Sequence, residues 1–441
     1  WFDLSRIAGP EEGGLAGQGA SAAEAAEAAP TAEAAGGYGL ERFHARDRDG
    51  HACRPTATPI APTASAALLR EAGRSSVARF WAGSTSLATD RVGLVLPTSL
   101  CSAQVADSVV DALNTELMGE SAAASRVRRR LGIRRFVTLE HTEGCGTGYS
   151  YGSELIEERI LVGHLVHANV ASAVLLEHGC EKNHNEAFSA ALRRRGFAPE
   201  RYGRFSIQLD GGLDACTEKV RNFFFGGGEA EEVGQIERRV VSLPVLSSGL
   251  RVGIMASTLS KVPEAMARLA ADFCAECLAS GVSVVVPTSP GLFASAHFLD
   301  GVLETTDGRP GLAFGQSPPG VGGEEEEEED GGSTTMNAGK LWLMDARGIE
   351  DGVEVMTGLV AAGCHAVVVF TDRPFFPSHP FAPVAVVSLS LEEEEKKVGS
   401  LANDSVGVVR QTLALAIESH VNGEALGTAF QITRGMTSIS V

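Results

Sequence analysis

Short apolar runs alternate with segments of helical spacing along most of this chain. Residues 92–96 form the first run, and the segment 103–118 after it carries apolar residues four positions apart, as at Val105 and Val109. A short apolar run bounded by turn residues is typical of a buried strand, and the four-residue spacing of an amphipathic helix. The same order recurs three times before residue 226, with strands predicted at 136–139, 173–176 and 205–209 and helices at 154–167, 185–195 and 215–225.

The alternation continues after a polar, glycine-rich hinge at 226–232. Further strands are predicted at 250–255, 282–286, 340–344, 366–370 and 384–389, and further helices at 263–280, 350–362 and 405–420. Strands that alternate with helices pair in parallel through crossover connections. We therefore predict an α/β protein with doubly wound, mostly parallel sheets in two or three α/β units.

Composition divides the chain further. The predicted division is a tail rich in Ala, Glu and Gly over 1–40, a lead-in over 41–90, a first α/β domain over 91–225, a small α/β unit over 245–305, an acidic glycine-rich insertion over 306–335 and a C-terminal α/β domain over 338–441. The tail has no apolar face to bury, and the acidic run 324–330 repels itself. We expect both segments to be disordered.

Charge and composition exclude several classes of protein. No apolar run approaches the roughly 18 residues that a membrane helix needs. The formal net charge of −19 argues against a nucleic-acid partner, because such binding depends on Lys and Arg. The eight Cys are scattered rather than closely spaced, which favours the cytoplasm or another reducing compartment. Because the sequence starts at Trp1, a targeting segment is not observable.

Three cysteines occupy the same place in successive strand–loop–helix units. Cys101, Cys145 and Cys180 each follow a predicted buried strand. Loops that follow parallel strands meet at one edge of the sheet, where ligands bind in such folds. Three thiolates could there hold a soft metal ion or an iron–sulfur cluster. The alternative is that small Cys side chains simply pack well behind strands, since free Cys is often buried.

Histidine and glutamate stand beside two of these cysteines. His141 and Glu143 precede Cys145, and His178 and Glu181 flank Cys180, so that each motif offers nitrogen and carboxylate groups. The glycine-rich stretch 144–148 offers backbone N–H groups at the predicted start of a helix, a natural seat for a carboxylate or phosphate. Its candidate ligand-binding residues are Gly144, Gly146 and Thr147. The alternative for this stretch is a tight turn.

Two other pairs carry weaker signals. Cys274 and Cys277 form a C-x-x-C, but they lie within a helical pattern and no second pair completes a zinc site, which favours a buried helix face. His164 and His167 lie one helical turn apart and could bind a metal, although such a pair is more often a surface or capping detail.

Two residues near the C-terminal strands are candidates for contact with a substrate. Arg373 could clamp a carboxylate through two hydrogen bonds, or could form an ordinary surface salt bridge. His379 stands between two prolines in a loop that follows a strand, and is predicted to line the site.

Motifs in both halves of the chain resemble the UxaA family of altronate and galactarate dehydratases. In the first half these are Pro97-Thr-Ser-Leu-Cys-Ser102, His141-x-x-Gly-Cys-Gly146, Gly179-Cys-Glu181 and Asp210-Gly-Gly212. In the second half they are Met344-Asp345, Glu354-x-x-Thr-Gly-Leu359, Ala361-Ala-Gly363, Phe370-Thr371 and the tail Gln431-Ile-Thr-Arg-Gly435.

The resemblance implies a sugar-acid hydro-lyase that removes water from an aldonate or aldarate to give a 2-keto-3-deoxy acid. It implies iron, as Fe²⁺ or an iron–sulfur cluster, or another divalent metal, with Cys101, Cys145 and Cys180 as ligands. His141, His178 and Glu181 become the candidates for proton transfer. The expected partner is a small-molecule sugar acid, and a homo-oligomer is left open.

The chain also departs from the family pattern. The Cys-Gly-Gly-Ser-Asp segment of the family is replaced here by Ile254-Met-Ala-Ser-Thr-Leu259, and its Phe-Thr-Thr-Gly-Arg loop by Phe370-Thr-Asp-Arg373. The first replacement removes polar groups that could bind a metal. The alternative function is therefore a non-catalytic relative that binds a metal or carboxylate ligand or serves as a partner subunit.

Overall fold

The computed structural model describes residues 87–144, 153–226, 239–240, 246, 249–257, 262–303, 311–312, 340–346, 349, 351–372, 376–388 and 405–421. All of them belong to one compact unit, Ala57–Val441. The predicted tail over 1–40, most of the lead-in and most of the insertion over 306–335 lie outside the described residues. Among the described helices, none is both long and apolar enough to cross a membrane.

The first half of this unit forms a parallel sheet, the N-terminal sheet, with the strand order β3-β2-β4-β5. Its strands are β2 (Val92–Pro97), β3 (Arg135–Thr138), β4 (Val170–Glu177) and β5 (Gly203–Ser206). Its helices are α1 (Leu100–Met118), α2 (Ala122–Arg130), α3 (Ser153–Leu165), α4 (Asn185–Arg194) and α5 (Leu213–Phe225). Before it, β1 (Leu87–Ala88) pairs in parallel with β6 (Arg239–Val240).

The second half forms the C-terminal sheet, which is also parallel and has the order β12-β11-β7-β8-β10-β9. Its strands are β7 (Arg251–Ala256), β8 (Ser283–Pro287), β9 (Gly311–Leu312), β10 (Leu341–Met344), β11 (Ala366–Thr371) and β12 (Val384–Ser388). Its helices are α6 (Glu264–Ala279), α7 (Pro290–Phe293), α8 (Ala296–Leu303), α9 (Gly352–Ala361) and α10 (Ser405–Val421).

The predicted fold class is confirmed, since both sheets are parallel and their strands alternate with helices. The predicted boundary inside the second half needs a correction. The segments 245–305 and 338–441 share one sheet, because β11 pairs with β7 and β10 pairs with β8. The short strand β9 also pairs with β10, although it lies within the predicted insertion.

Alternate residues of β2 point to opposite faces of the N-terminal sheet. Val95 packs in a core with α1, α2 and α5, whereas Leu94 and Leu96 pack in a core with α3 and α4. The connection after β2 therefore crosses one face, and the connections before and after β4 cross the other. The loops after β2 and β4 leave neighbouring strands in opposite directions, which makes the gap between them the switch point of this sheet.

The core that contains α3 is continuous with one face of the C-terminal sheet. It includes Leu161 of α3 and Leu359 of α9, and it extends to Val367 of β11. The two helices approach so closely that a Cβ on Gly163 would lie 2.3 Å from the carbonyl oxygen of Ala361. Because that neighbour is backbone, only glycine fits at this crossing.

We predict that Gly163→Ala destabilises the protein by about 1–3 kcal/mol, the usual cost of overpacking. In an uncrowded helix the same change would instead stabilise by about 1 kcal/mol. Urea denaturation at pH 7 measures the difference. The control is Gly301→Ala in α8, whose Cβ would meet a single side-chain atom, Ala271 Cβ at 2.9 Å, and should cost less. A Gly163→Ala variant at least as stable as the wild-type protein would contradict the close crossing of α3 and α9.

Candidate functional site

The carboxylate of Glu181 joins the loops that follow β2 and β4. Its Oε1 accepts hydrogen bonds from the hydroxyls of Thr98 (2.8 Å) and Ser99 (3.0 Å) and from the backbone N–H of His178 (2.7 Å). Its Oε2 accepts from the N–H groups of Gly179 (2.6 Å) and Cys180 (2.9 Å). Five donors use the acceptor capacity of one carboxylate. Glu181 therefore fixes the switch-point loops in place.

The charge of this carboxylate is stable at neutral pH. Burial would raise the pKa of Glu181, whose side chain is only 4% exposed, but hydrogen bonds from backbone N–H groups and Thr98 outweigh burial and hold its pKa below the usual value. Glu181 is thus ionised, and its oxygens point at the backbone of its own turn. Its predicted catalytic role stays a prediction, whereas its contacts give it a role in positioning.

His141 lies beside this network at the end of β2. Its Nε2 is 3.0 Å from the carbonyl oxygen of Pro97, the residue before Thr98. A carbonyl oxygen only accepts, so Nε2 carries the proton and Nδ1 holds a lone pair. Nδ1 is buried without a hydrogen-bond partner among the described residues. Burial lowers the pKa of His141 to about 4, against the opposing effect of the Pro97 hydrogen bond, so the ring is a neutral base at pH 7.

The thiol of Cys180 and the imidazole of His178 form a close pair at the surface of the same turn. Cys180 Sγ lies 3.4 Å from His178 Nδ1, with Cys180 exposed and His178 half-buried. Among the described residues, His178, Cys180 and Glu181 form the one group of three potential metal ligands whose donor atoms lie within 4.8 Å of one another. Glu181 is occupied by its five donors, which leaves Cys180 Sγ and His178 Nδ1 as the other two donor atoms of this group.

The loop after β3 completes this edge of the sheet. The carbonyl oxygen of Glu143 accepts a hydrogen bond from the N–H of Leu100, the first residue of α1, at 2.7 Å. A Cβ on Gly144 would lie 2.9 Å from Ser99 Cβ. Gly179 in the neighbouring loop has a φ of +123°, and a Cβ there would meet Gln208 Oε1 at 2.9 Å. Both positions therefore require glycine.

Cys101 is the second residue of α1 and is exposed, as Cys180 is. The other described cysteines, at 216, 274, 277 and 364, are all buried. Exposure at the sheet edge speaks against the alternative that Cys101 and Cys180 serve only as packing. For Cys274 and Cys277 the prediction of a buried helix face in α6 is confirmed. Cys145, Gly146, Thr147 and Arg373 lie outside the described residues, so their predicted roles stay predictions.

His379 lies in the segment between β11 and β12, in the interior of the chain. It is fully buried, and its ring stacks on His164 at a centroid distance of 5.1 Å. The interior between the two sheets surrounds it, and its predicted role in lining a substrate site stays a prediction. His164 and His167 are also buried, which corrects the expectation of a surface or capping pair. The spacing of these residues gave no sign that the second half of the chain would cover them.

Thr98 and Ser99 belong to the network around Glu181, although the sequence analysis gave them no role of their own within the motif Pro97-Thr-Ser-Leu-Cys-Ser102. Both are fully buried and donate to Glu181. The available signal was their position: two hydroxyl residues directly follow a buried strand at the edge where ligands bind. Their significance depends on β2 lying next to β4, which the chain order does not specify.

Residues 88–224 match the family model described as D-galactarate dehydratase/Altronate hydrolase, second domain. A dehydratase-family domain is present. The match covers less than half of the chain and includes the loops after β2, β3 and β4 described above. It supports the broad family relationship that the motifs indicated.

Two further comparisons add little. No curated protein sequence matches the chain significantly. Among solved structures, a glycosyl transferase of family 9 from Veillonella parvula DSM 2008 is 11% identical, covers 76% of this chain and 98% of its own, and has a TM-score of 0.19. A likeness that weak carries no argument about fold or function.

We predict that Glu181→Gln destabilises the N-terminal sheet at pH 7, because one amide cannot accept from all five donors. Each orphaned buried donor costs roughly 1–3 kcal/mol. The carboxylate has a lowered folded pKa, so its contribution is present above the unfolded value and is lost as pH falls through the folded one. Urea denaturation at pH 7 and pH 3 measures this effect, and the difference from wild type should shrink at pH 3.

The matched control is Glu186→Gln, an exposed glutamate at the start of α4. It should change stability by less than about 0.5 kcal/mol at either pH. A Glu181→Gln variant as stable as this control would show that the carboxylate does not hold the loops.

Proposed function

We propose that this chain is a sugar-acid hydro-lyase, which removes water from an aldonate or aldarate to give a 2-keto-3-deoxy acid. The observation that carries the proposal is the unprotonated, buried Nδ1 of His141, at the switch-point edge of a domain that matches the dehydratase family. Because burial keeps His141 neutral above about pH 4, the ring has a lone pair that can accept a proton at neutral pH.

The chemistry sets three requirements. The proton α to a carboxylate is very weakly acidic, so a base must remove it while the developing enediolate is stabilised. The β-hydroxyl leaves only if it receives a proton. The resulting enol then becomes the 2-keto-3-deoxy acid.

His141 is suited to both proton steps. Its Nδ1 takes the α proton, and the ring becomes an imidazolium whose Nε2–H still donates to the carbonyl oxygen of Pro97. The same Nδ1–H then protonates the departing hydroxyl, so that the C–O bond breaks, water leaves and the neutral ring is restored. Because His141 is only 5% exposed, the substrate has to displace part of its cover to reach Nδ1.

The donors at this edge fit a divalent metal. Two ligands of a tetrahedral ion, one sulfur and one nitrogen, lie about 3.5 Å apart at ordinary bond lengths, close to the 3.4 Å between Cys180 Sγ and His178 Nδ1. Mixed sulfur and nitrogen donors suit iron or zinc. Cys180 and His178 would hold the ion, with Cys101 and Cys145 as further candidates. Bound there, the ion would supply Lewis-acid stabilisation of the enediolate.

One observation favours a second candidate function. The family match ends at residue 224, and the family's polar segment after β7 is replaced by Ile254-Met-Ala-Ser-Thr-Leu259. A protein that keeps this edge of the N-terminal sheet but lacks the family's polar segment would bind a metal or carboxylate ligand without converting it into product. Turnover separates this alternative from the hydro-lyase.

We predict that protein purified anaerobically with Fe²⁺ converts at least one member of an aldonate and aldarate panel into a 2-keto-3-deoxy acid. His141→Asn should lower kcat by about 10²–10⁴-fold, the usual contribution of a general base. The control His297→Asn alters an exposed histidine of α8 and should leave the rate unchanged. Semicarbazone absorbance measures the product. Binding of a sugar acid with no product from any panel member would establish the non-catalytic alternative.

We predict further that Cys180→Ser lowers the iron content and the affinity for Fe²⁺, because a thiolate ligand is lost. Metal analysis after anaerobic desalting measures this, independently of turnover. The control Cys216→Ala removes a buried thiol of the same half of the chain and should keep the iron. A Cys180→Ser variant that keeps all of its iron would show that other residues hold the metal.

A further inference from the structure

Five histidines are buried where the N-terminal half of the chain packs against the C-terminal sheet. They are His164, His167, His365, His379 and His420, each no more than 2% exposed. None of them is bonded to the switch-point edge of the N-terminal sheet in the contacts described above. Each comes from α3 or the turn after it, from the segments around β11, or from the end of α10, so the cluster joins the two halves of the chain.

The hydrogen bonds of one pair fix the position of every ring proton. His164 Nδ1 lies 2.7 Å from the carbonyl oxygen of Ile160, so this nitrogen carries a proton and Nε2 holds a lone pair. His379 Nδ1 accepts from the N–H of Phe381 at 3.3 Å, so here Nε2 carries the proton. The two Nε2 atoms are 3.2 Å apart. His379 therefore donates to His164, and the two rings are neutral in opposite tautomers.

A third histidine is fixed in the same manner next to this pair. His167 Nε2 lies 3.1 Å from the carbonyl oxygen of Cys364, and its Nδ1 accepts from the N–H of Asn169 at 3.0 Å. His167 is therefore also neutral. Beyond it, His365 Nδ1 accepts from the backbone N–H of Arg251, and the ring centroids of His365 and His167 are 6.1 Å apart.

Charged groups line the other side of the cluster. Asp90 is fully buried and forms an ion pair of 2.7 Å with Arg135, whose guanidinium also donates to the carbonyl oxygen of Pro380 at 3.1 Å. His420 of α10 lies 3.3 Å from Asp90 and 3.1 Å from Arg135. Arg135 thus holds the segment that carries His379.

We infer that the His164–His379 pair is an acid-sensitive latch between the two halves of the chain. A proton on His164 gives both Nε2 atoms an N–H, and two donors at this distance repel each other. A proton on His379 instead goes to its Nδ1, where it faces the N–H of Phe381 and breaks that hydrogen bond. Protonation therefore opens the contact between α3 and the segment 376–383 and leaves the two sheets folded.

The direction of the pH effect follows from burial. Burial lowers the pKa of His164 to about 4, and burial together with His164, His167 and His420 puts the pKa of His379 well below its usual value. In the open state both rings regain ordinary values near 6.5. The open state then binds more protons than the closed one from about pH 6.5 down to the lowered values, so the closed state is lost as pH falls through that window.

Nuclear magnetic resonance of the ¹⁵N-histidine protein tests the ground state directly. At pH 7.5 we expect His164 as the Nδ1–H tautomer and His379 as the Nε2–H tautomer, assigned with His164→Gln and His379→Gln. Rings that share one tautomer, or a charged ring at this pH, would overturn the latch. If one variant fails to fold, the other still assigns its own ring, and the tautomer of that ring in the wild-type spectrum decides the outcome.

Hydrogen exchange, corrected for its intrinsic pH dependence, tests the opening. Between pH 6.5 and 4.5 the opening constant of α3 and of residues 376–388 should rise by up to about tenfold per pH unit for each proton taken up, while β2 and β4 stay protected. His379→Gln keeps an N–H donor toward His164, and its amide can turn to offer an oxygen when His164 is protonated. The rise should therefore be lost in His379→Gln and kept in the control His297→Gln. An equal rise in all three proteins, or none in the wild type, would overturn the inference.

Discussion

One buried carboxylate determines the geometry at the switch point of the N-terminal sheet. Glu181 receives three backbone N–H groups of its own turn and the hydroxyls of Thr98 and Ser99 from the neighbouring loop. A buried charge is tolerated only when its hydrogen bonds are complete. Because the donors come from two loops, that requirement locks the loop after β2 to the loop after β4.

The exposure of the Cys180 and His178 side chains is a consequence of the way in which Glu181 is bound. The turn that wraps around the carboxylate points its N–H groups inward, and the side chains of Cys180 and His178 are left outside, 3.4 Å apart. His141 is tied to the same place, since Pro97 and Thr98 are consecutive residues that contact His141 and Glu181 respectively. Polar groups from three neighbouring strands thus meet at one edge, which is the requirement for shared chemistry.

Strands that are covered by helices on both faces were predictable from the sequence, because such strands appear as continuous apolar runs. The run 92–96 became β2, and 366–370 became β11, nearly to the residue. The helix α2 was missed because only Ala124 and Val127 of its nine residues are buried, which leaves no apolar stripe to detect. The pairing of β11 with β7 was not predictable, since more than a hundred residues separate the two strands. For the same reason the burial of His379 against His164 became visible only in the structure.

The thiols of the chain divide into two groups by environment, and this division narrows where sulfur chemistry can occur. Burial raises the pKa of Cys216 to about 11 and those of Cys274 and Cys364 to about 12, and it raises that of Cys277 further still. These four are protonated at neutral pH and are enclosed, which disfavours both metal binding and thiol reactions there. Cys101 and Cys180 are exposed, and both stand at the same sheet edge as His141. Among the described residues, the exposed thiols therefore lie at the switch point where Glu181 joins the loops.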